Sequence, residues 1–262
     1  MRVFDFCSAI VREPGRSVVN GIHSDASAVP TYEGVLGEHR ACIAALRAAG
    51  LEVDVLPPLE NYPDSIFVED PALVLPQGAI VLRPGTPTRL GEGEEIRAAL
   101  RRHFDRVLEL SGDEFADGGD VLVTPDIIFI GMSKRTNRAG AQALRARLRE
   151  LGREARIVET PPTILHFKTA SSLLREDTIM VTKAMANSGM FSAFRLIVVP
   201  DGEEAAANSL RINNVVFVGD SFPRTIDVLR KAAFETIGLP VNEIGKLDAG
   251  LSCMSLRWLK KR

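Results

Sequence analysis

Five times along its length this chain places a stretch of helical periodicity just ahead of a short strand-like run. The helical stretches cover 30–49, 93–104, 137–151, 184–194 and 223–237, and the runs after them cover 51–56, 106–110, 155–158, 196–199 and 239–244. The first helix shows the signal: Thr31 can cap it, Leu36, His39, Ile43 and Leu46 recur at the spacing of one face, and Gly50 stops it. Pairs of further strand-like runs lie between these units, at 65–75 with 79–82, 120–123 with 127–130, 172–174 with 178–182 and 209–212 with 215–218, and a last run covers 254–259. The runs that follow the helices start 55, 49, 41 and 43 residues apart. A step of that size marks a repeat, and a strand pair, a helix and a third strand invite a radial arrangement. A single doubly wound α/β sheet shares the alternation but does not ask for a strand pair in every unit.

At 262 residues the chain sits at the upper end of what one hydrophobic core supports, and no Pro/Ser-rich linker divides it, so one domain over 1–262 is expected. Hydrophobic residues make up 45% and charged ones 25%, which excludes disordered, collagenous and disulfide-rich secreted classes. A net charge of −2 lacks the basic excess of a nucleic-acid binder. No apolar run approaches the roughly 18 residues of a membrane span, and the stretch 3–11 is broken by Asp5 and lacks a cleavage pattern. Cys7, Cys42 and Cys253 are widely spaced with no CxxC pair, so neither a disulfide framework nor a thiolate zinc site is indicated. A cytoplasmic protein is expected, with no nucleic-acid or membrane partner.

Acidic residues gather where strands should end: Asp64, Glu69 and Asp70 in one segment, Asp117 and Asp120 around Gly118-Gly119 in another. Any one of them is explained by surface charge. Together they abut Ile66, Phe67 and Val68, and carboxylates beside buried strands need a cationic partner or a polar ligand. The glycine pair also reads as a sharp turn or bulge. Arg89 and Arg135 stand in loops after strands, either as solvated charges or as forks suited to grip a carboxylate. Acids at one end and arginines at the other would match a zwitterionic, arginine-like molecule. His166, just after Pro161-Pro162, and Cys253, between a Gly-rich loop and the terminal strand, read singly as structural residues. With a distant carboxylate they also compose a nucleophile set, whose meeting the sequence does not reveal.

At these segments the chain resembles the dimethylarginine dimethylaminohydrolases of the guanidino-group-modifying amidinotransferase and deiminase superfamily. The resemblance runs through 17–22, 63–71, 83–89, 117–122, 131–137, 165–169 and 248–257, several blocks in one order over nearly the whole chain. It implies an α/β fold, a five-bladed propeller of pseudo-fivefold ββαβ units with the site in a central channel. It implies Cys253 as nucleophile, His166 as general acid/base and Asp117 as the acid that orients the histidine. Relatives carry Asp or Glu at that last position. Glu69 and Asp70 correspond to the pair that holds the substrate guanidinium, Asp64 to a further contact, Arg89 and Arg135 to clamps on its α-carboxylate, and the carbonyls of Ile22 and Leu247 to contacts with the amino-acid end.

The residue types suit that chemistry. A guanidinium stays cationic and its carbon is a poor electrophile, so carboxylates must fix it in one plane beside the sulfur. Attack gives a tetrahedral adduct that expels an amine only once a proton arrives, leaving a covalent thiouronium that water resolves to citrulline. The expected function is hydrolysis of asymmetric dimethylarginine or monomethylarginine to citrulline and (di)methylamine, without a metal or organic cofactor. The partner expected is a small-molecule substrate, with a homodimer as the assembly. Two alternatives stand beside it: an arginine deiminase-like or other amidine hydrolase, with agmatine disfavoured by the two arginines, and a noncatalytic propeller of the translation-factor type.

Overall fold

A computed structural model of the chain describes residues 3–25, 27–162, 164 and 166–260. In chain order its elements are β1 (Ser8–Arg12), α1 (Tyr32–Ala48), β2 (Glu52–Leu56), β3 (Ala72–Leu75), β4 (Gly78–Val81), α2 (Glu92–His103), β5 (Val107–Glu109), β6 (Val121–Val123), β7 (Ile128–Met132), α3 (Arg138–Glu150) and β8 (Ala155–Glu159). The order continues with β9 (Ser171–Arg175), β10 (Thr178–Val181), α4 (Lys183–Asn187), β11 (Arg195–Val198), β12 (Leu210–Ile212), β13 (Val215–Gly219), α5 (Pro223–Lys231), β14 (Glu235–Leu239), α6 (Asn242–Gly245) and β15 (Leu256–Trp258).

These strands form five separate three-stranded sheets. In each, a central strand pairs antiparallel with one neighbour and, across a helix, parallel with the other: β3-β4-β5, β6-β7-β8, β9-β10-β11, β12-β13-β14 and β15-β1-β2. The last sheet joins the two ends of the chain, Ser8 opposite Trp258 and Ile10 opposite Leu256. The central strands are buried along almost their whole length, which accounts for their unbroken apolar sequence.

Apolar packing closes the sheets into a ring. One cluster joins Leu56 and Trp258 of the first sheet to Val74 and Val81 of the next. Leu75 and Ile80 of that sheet then meet Val121 and Ile130, Leu122 and Phe129 meet Leu173 and Ile179, and Leu174 and Met180 meet Val216 and Val218. The circuit ends where Leu210 and Phe217 meet Ala9 and Val11. Alternate residues of each central strand thus face opposite neighbours, as the two-residue period of a strand requires. The molecule is a five-bladed, pseudo-fivefold α/β propeller of open sheets. Its axis holds a cavity of about 490 Å³ lined from all five inner strands, among others by Leu73, Leu122, Ser172, Arg211 and Arg257.

The helices expected over 30–49 and 137–151 form and stop at their glycines. Thr31 accepts from Gly34 N at 3.2 Å and Asn137 from Gly140 N at 2.7 Å, and Gly50 and Gly152, at φ +92° and +74°, follow the ends of α1 and α3. Elsewhere tertiary contacts override the pattern. The helix expected over 184–194 stops at Asn187, because Gly189 turns left-handed (φ +69°) and Phe191 and Phe194 pack on Phe129. The helix expected to reach 237 ends at Lys231, and β14 takes up Thr236 and Ile237. Pro240, with no N–H to donate, ends that strand at Leu239, and the second half of the run expected at 239–244 enters the short helix α6. Of the run 65–75 only Ala72–Leu75 is a strand, and β1 carries no expectation from the sequence. Among the described residues no helix is long and apolar enough to cross a membrane.

Candidate active site

Residues 64–71 are turns rather than a strand, because they wrap a buried guanidinium. Arg89, 3% exposed, donates from Nη2 to the carbonyls of Asp64 and Phe67, each at 3.2 Å. Its Nε and Nη2 also hold both oxygens of Glu92, at 2.9 and 2.6 Å, and its Nη1 holds Asp70 Oδ2. Burial opposes the charge on Arg89, but Glu92 and Asp70 outweigh it and raise its pKa. Expected as a clamp on a substrate carboxylate, Arg89 is turned here toward internal acids.

The turn Gly118–Asp120 lies against that segment, with Gly118 N donating to Asp70 O at 3.0 Å. A Cβ at residue 118 would fall 1.9 Å from Glu69 O, so the second glycine-rich segment is a close approach of two backbones. It brings Asp117 to Asp70. Asp117 is fully buried; Oδ1 accepts from Gly119 N at 2.9 Å, while Oδ2 and Asp70 Oδ1 have no N–H or hydroxyl donor among the described residues. The negative charge of Asp117 bears on Asp70. Two carboxylates in one buried site repel when both are ionised, so the site disfavours charging both. Burial, and then the charge of Asp117, push Asp70 up to about 7 against the pull of Arg89 and His166. Burial also pushes Asp117 up to about 6, with Arg89 opposing and Asp120 adding to the rise.

His166 stands over the same turn. A Cβ at residue 119 would sit 3.1 Å from the ring Cγ and Nδ1, so Gly119 leaves the imidazole its place. Its Nε2 lies 3.7 Å from Asp117 Oδ2, an ion-pair contact just longer than a hydrogen bond, and has no other partner among the described residues. Thr169 Oγ1 donates to His166 O at 2.6 Å. Leu165, grouped with His166 in the sequence reading, lies outside the described residues.

Cys253 is 8% exposed, in the loop before β15, and Glu69 N donates to its carbonyl at 3.2 Å. Burial pushes its thiol up to about 12, followed by the charges of Asp70 and Glu69. Glu69 is held by Lys168 and by Arg257 Nη2 at 2.8 Å, and it accepts from Ser252 Oγ at 2.9 Å. Asn208 Nδ2 touches Cys253 Sγ at 3.6 Å. Asp70 is thus the group whose charge reaches Cys253 on one side and feels His166 and Asp117 on the other.

A second cavity of about 740 Å³ opens beside these groups, lined among others by Ser24, Ser133, Lys134, Ile164, Asn208 and Asp248. Asp64 accepts from Ile22 N at 3.0 Å, and a Cβ at Gly21 would meet both Asp64 Oδ1 and a Leu247 methyl at 3.0 Å, so Asp64, Ile22 and Leu247 form one cluster. Arg135, partly exposed, belongs to the loop of Ser133 and Lys134, and among the described residues no carboxylate pairs with it. Buried Asp120 ties that loop to His166: its Oδ2 accepts from Ser133 Oγ and Thr136 Oγ1, both at 2.6 Å, and its Oδ1 from Phe167 N at 3.0 Å.

The family described as N,N dimethylarginine dimethylhydrolase, eukaryotic, matches residues 20–186. The N(G),N(G)-dimethylarginine dimethylaminohydrolase of Pseudomonas aeruginosa is 34% identical over 97% of this chain and 100% of its own. The chain belongs to the dimethylarginine dimethylaminohydrolase family. The family member from Streptomyces coelicolor is 31% identical over 95% of this chain and 96% of its own. A cysteine-to-serine variant of the Pseudomonas aeruginosa dimethylarginine dimethylaminohydrolase, solved with citrulline, superposes with a TM-score of 0.94 at 34% identity, covering 97% of this chain and 100% of that one. The N-terminal domain of ArgZ, an arginine dihydrolase from cyanobacteria, shares the fold at 18% identity and a TM-score of 0.85, covering 98% of this chain and 100% of that one.

Within this dimethylarginine dimethylaminohydrolase fold, Lys168, Arg257, Ser252, Asn208 and Asp120 complete the surroundings of the expected residues. Asp120 stood out in the sequence only as one acid beside the glycine pair, and the other four had no distinguishing type or spacing. Lysine, arginine, serine and asparagine are ordinary surface residues until a fold turns them inward.

Proposed function

We propose that this chain hydrolyses N-omega-methylated arginine, asymmetric dimethylarginine or monomethylarginine, to citrulline and (di)methylamine through a covalent intermediate on Cys253. The observation that carries this reading is the buried group of Asp70, Asp117, His166 and Cys253, in which burial and then the charge of Asp117 raise Asp70, burial raises Asp117, and burial followed by the charges of Asp70 and Glu69 keeps the thiol protonated. A flat cation brought between them would relieve all of these costs at once. It would favour the ionised forms of Asp70 and Asp117 and lower the thiol's pKa.

In this reading Glu69 and Asp70 hold the guanidinium plane, and Arg89 keeps Asp70 in place. Arg135 is left for the α-carboxylate, since Arg89's donors are engaged, while Asp64 with the carbonyls of Ile22 and Leu247 faces the α-amino end. The Cys253 proton passes to neutral His166 as the sulfur forms its bond to the guanidino carbon. His166⁺, steadied by Asp117, then gives that proton to the departing amine nitrogen as the C–N bond breaks, because an amide anion cannot leave. Neutral His166 next takes a proton from water as the hydroxide adds to the thiouronium carbon; the S–C bond then breaks with its electron pair returning to sulfur, which recovers the proton from His166, and the adduct's hydroxyl proton leaves to solvent to give citrulline.

The names of the 34% and 31% identical relatives support the methylated substrate over plain arginine. The cytoplasmic location and homodimer expected from the sequence belong to the same reading; fractionation and sedimentation test them. The deciding experiment compares citrulline release from asymmetric dimethylarginine, monomethylarginine and arginine, with Cys253→Ser as control. Turnover of the methylated substrates, lost in the variant with its circular dichroism intact, is expected. Arginine as the preferred substrate would make the chain a deiminase, and a fully active Cys253→Ser would end the covalent mechanism.

A further inference from the structure

Asn208 follows the 3-10 turn Glu204–Ala207 and is 7% exposed. Its carboxamide is fixed from both ends. Ser252 N, which can only donate, points to Asn208 Oδ1 at 3.3 Å. That contact settles which end of the amide is oxygen, and it leaves the NH2 group toward Cys253 Sγ at 3.6 Å. Gly250 makes room for this arrangement, since a Cβ there would lie 2.4 Å from Asn208 Cγ. Cys253 N in turn donates to Gly250 O at 3.2 Å, so amide, glycine and nucleophile form one tight turn. Asn208 also lines the cavity beside the site, placing its amide between that opening and the sulfur.

Most of what surrounds the sulfur resists ionisation: burial first, then the negative charges of Asp70 and Glu69. The backbone N–H of Gly250 and then the charge of Lys168 oppose them, and Asn208 is the side chain whose N–H is directed at Sγ. We propose that Asn208 is a further catalytic residue, whose carboxamide N–H holds the Cys253 sulfur in line and stabilises it as a thiolate. This rests on Cys253 being the nucleophile. In the step assisted, the S–H bond breaks, the proton passes to His166, and the sulfur electron pair forms the S–C bond; Asn208 keeps both amide protons throughout. A donor aimed at the charged form favours that form.

The test uses Asn208→Ala and Asn208→Asp. The aspartate keeps the shape and the bond from Ser252 N but presents an oxygen to the sulfur. Alkylation of Cys253 by iodoacetamide, followed on its own peptide by mass spectrometry across pH, reads the thiolate without turnover. Asn208→Ala is expected to slow alkylation at fixed pH and to lower kcat by roughly tenfold to a hundredfold, the worth of a hydrogen bond to a charged group, with KM changed by less than about threefold. Asn208→Asp should fall further. Where the alanine variant does not fold, the isosteric aspartate decides: an Asn208→Asp that alkylates and turns over like the parent overturns the proposal, as does an Asn208→Ala with an unchanged alkylation profile. An active Cys253→Ser would instead sink the nucleophile assignment, while the alkylation series would still report on the amide.

Discussion

A buried carboxylate that must ionise to grip a cation opposes folding, and Asp70 and Asp117 are two of them side by side. Their folded pKa values, about 7 and about 6, lie above the usual range near 3.9, so between pH 4 and 7 the folded protein keeps protons that the unfolded chain has lost. Stability from this pair is therefore present below pH 4 and lost as pH rises through 6 to 7. Asp117→Asn, which can keep the bond from Gly119 N and donate to Asp70, should raise Tm by a few degrees at pH 8, with little gain at pH 4, in scanning calorimetry. The same variant should lose kcat by about a hundredfold or more, because His166⁺ loses its counter-charge. For the parent protein kcat/KM should climb as pH rises through 6 to 7, while kcat climbs less, since the bound cation lowers both values. Arg135→Ala should raise KM roughly tenfold to a hundredfold for substrates that carry the α-carboxylate and leave KM for a decarboxylated analogue nearly unchanged. Equal effects on both would remove Arg135 from the carboxylate.

Helix α1 carries a polar residue its packing does not serve. His39 lies on the buried face with Val35, Cys42 and Leu46, 1% exposed, and neither ring nitrogen has a partner among the described residues. Burial, with a smaller push from Arg40, lowers its pKa to about 4. The unfolded chain therefore binds a proton between pH 6.5 and 4 that the folded one refuses, and stability is lost as pH falls through that window. The drop of about 2.5 units is worth about 3 kcal/mol at the acid end. His39→Leu should flatten the acid limb of a Tm-against-pH curve and leave kcat at pH 8 as it was. An unchanged acid limb would show that the ring finds a donor or acceptor as pH falls. The helical period alone placed His39 inward; its lack of partners depends on which blades close over it.

Across the whole molecule, one blade is built from both ends of the chain, and that closure also sets the nucleophile. Trp258 is 2% exposed on β15 and packs at 5.0 and 5.1 Å between centroids on Phe104 and His103, against the second blade. From the same strand, Arg257 holds Glu69 and the carbonyls of Ser252 and Ser255. Trp258→Ala should cost about 3 to 5 kcal/mol in urea unfolding. Activity should fail at lower urea than the global transition, because the Cys253 loop loosens first. Coincident loss of both would mean the closing strand is no weaker than the rest. The sequence by itself determined the repeat, the helices with strong caps and, through its ordered blocks, the set of residues to watch, because periodicity and capping are local and survive without neighbours. It could not place β1 or cut the run 65–75 at Pro71, since burial on both faces erases the alternation that marks a strand and the wrapping of Arg89 is a long-range event. Only the tertiary structure decided that Arg89 faces Asp70, that Asp120 accepts from Phe167 N, and that Asn208 touches the sulfur: contacts spanning up to 47 residues of chain are set by blades meeting at an axis, and no residue type announces its partner.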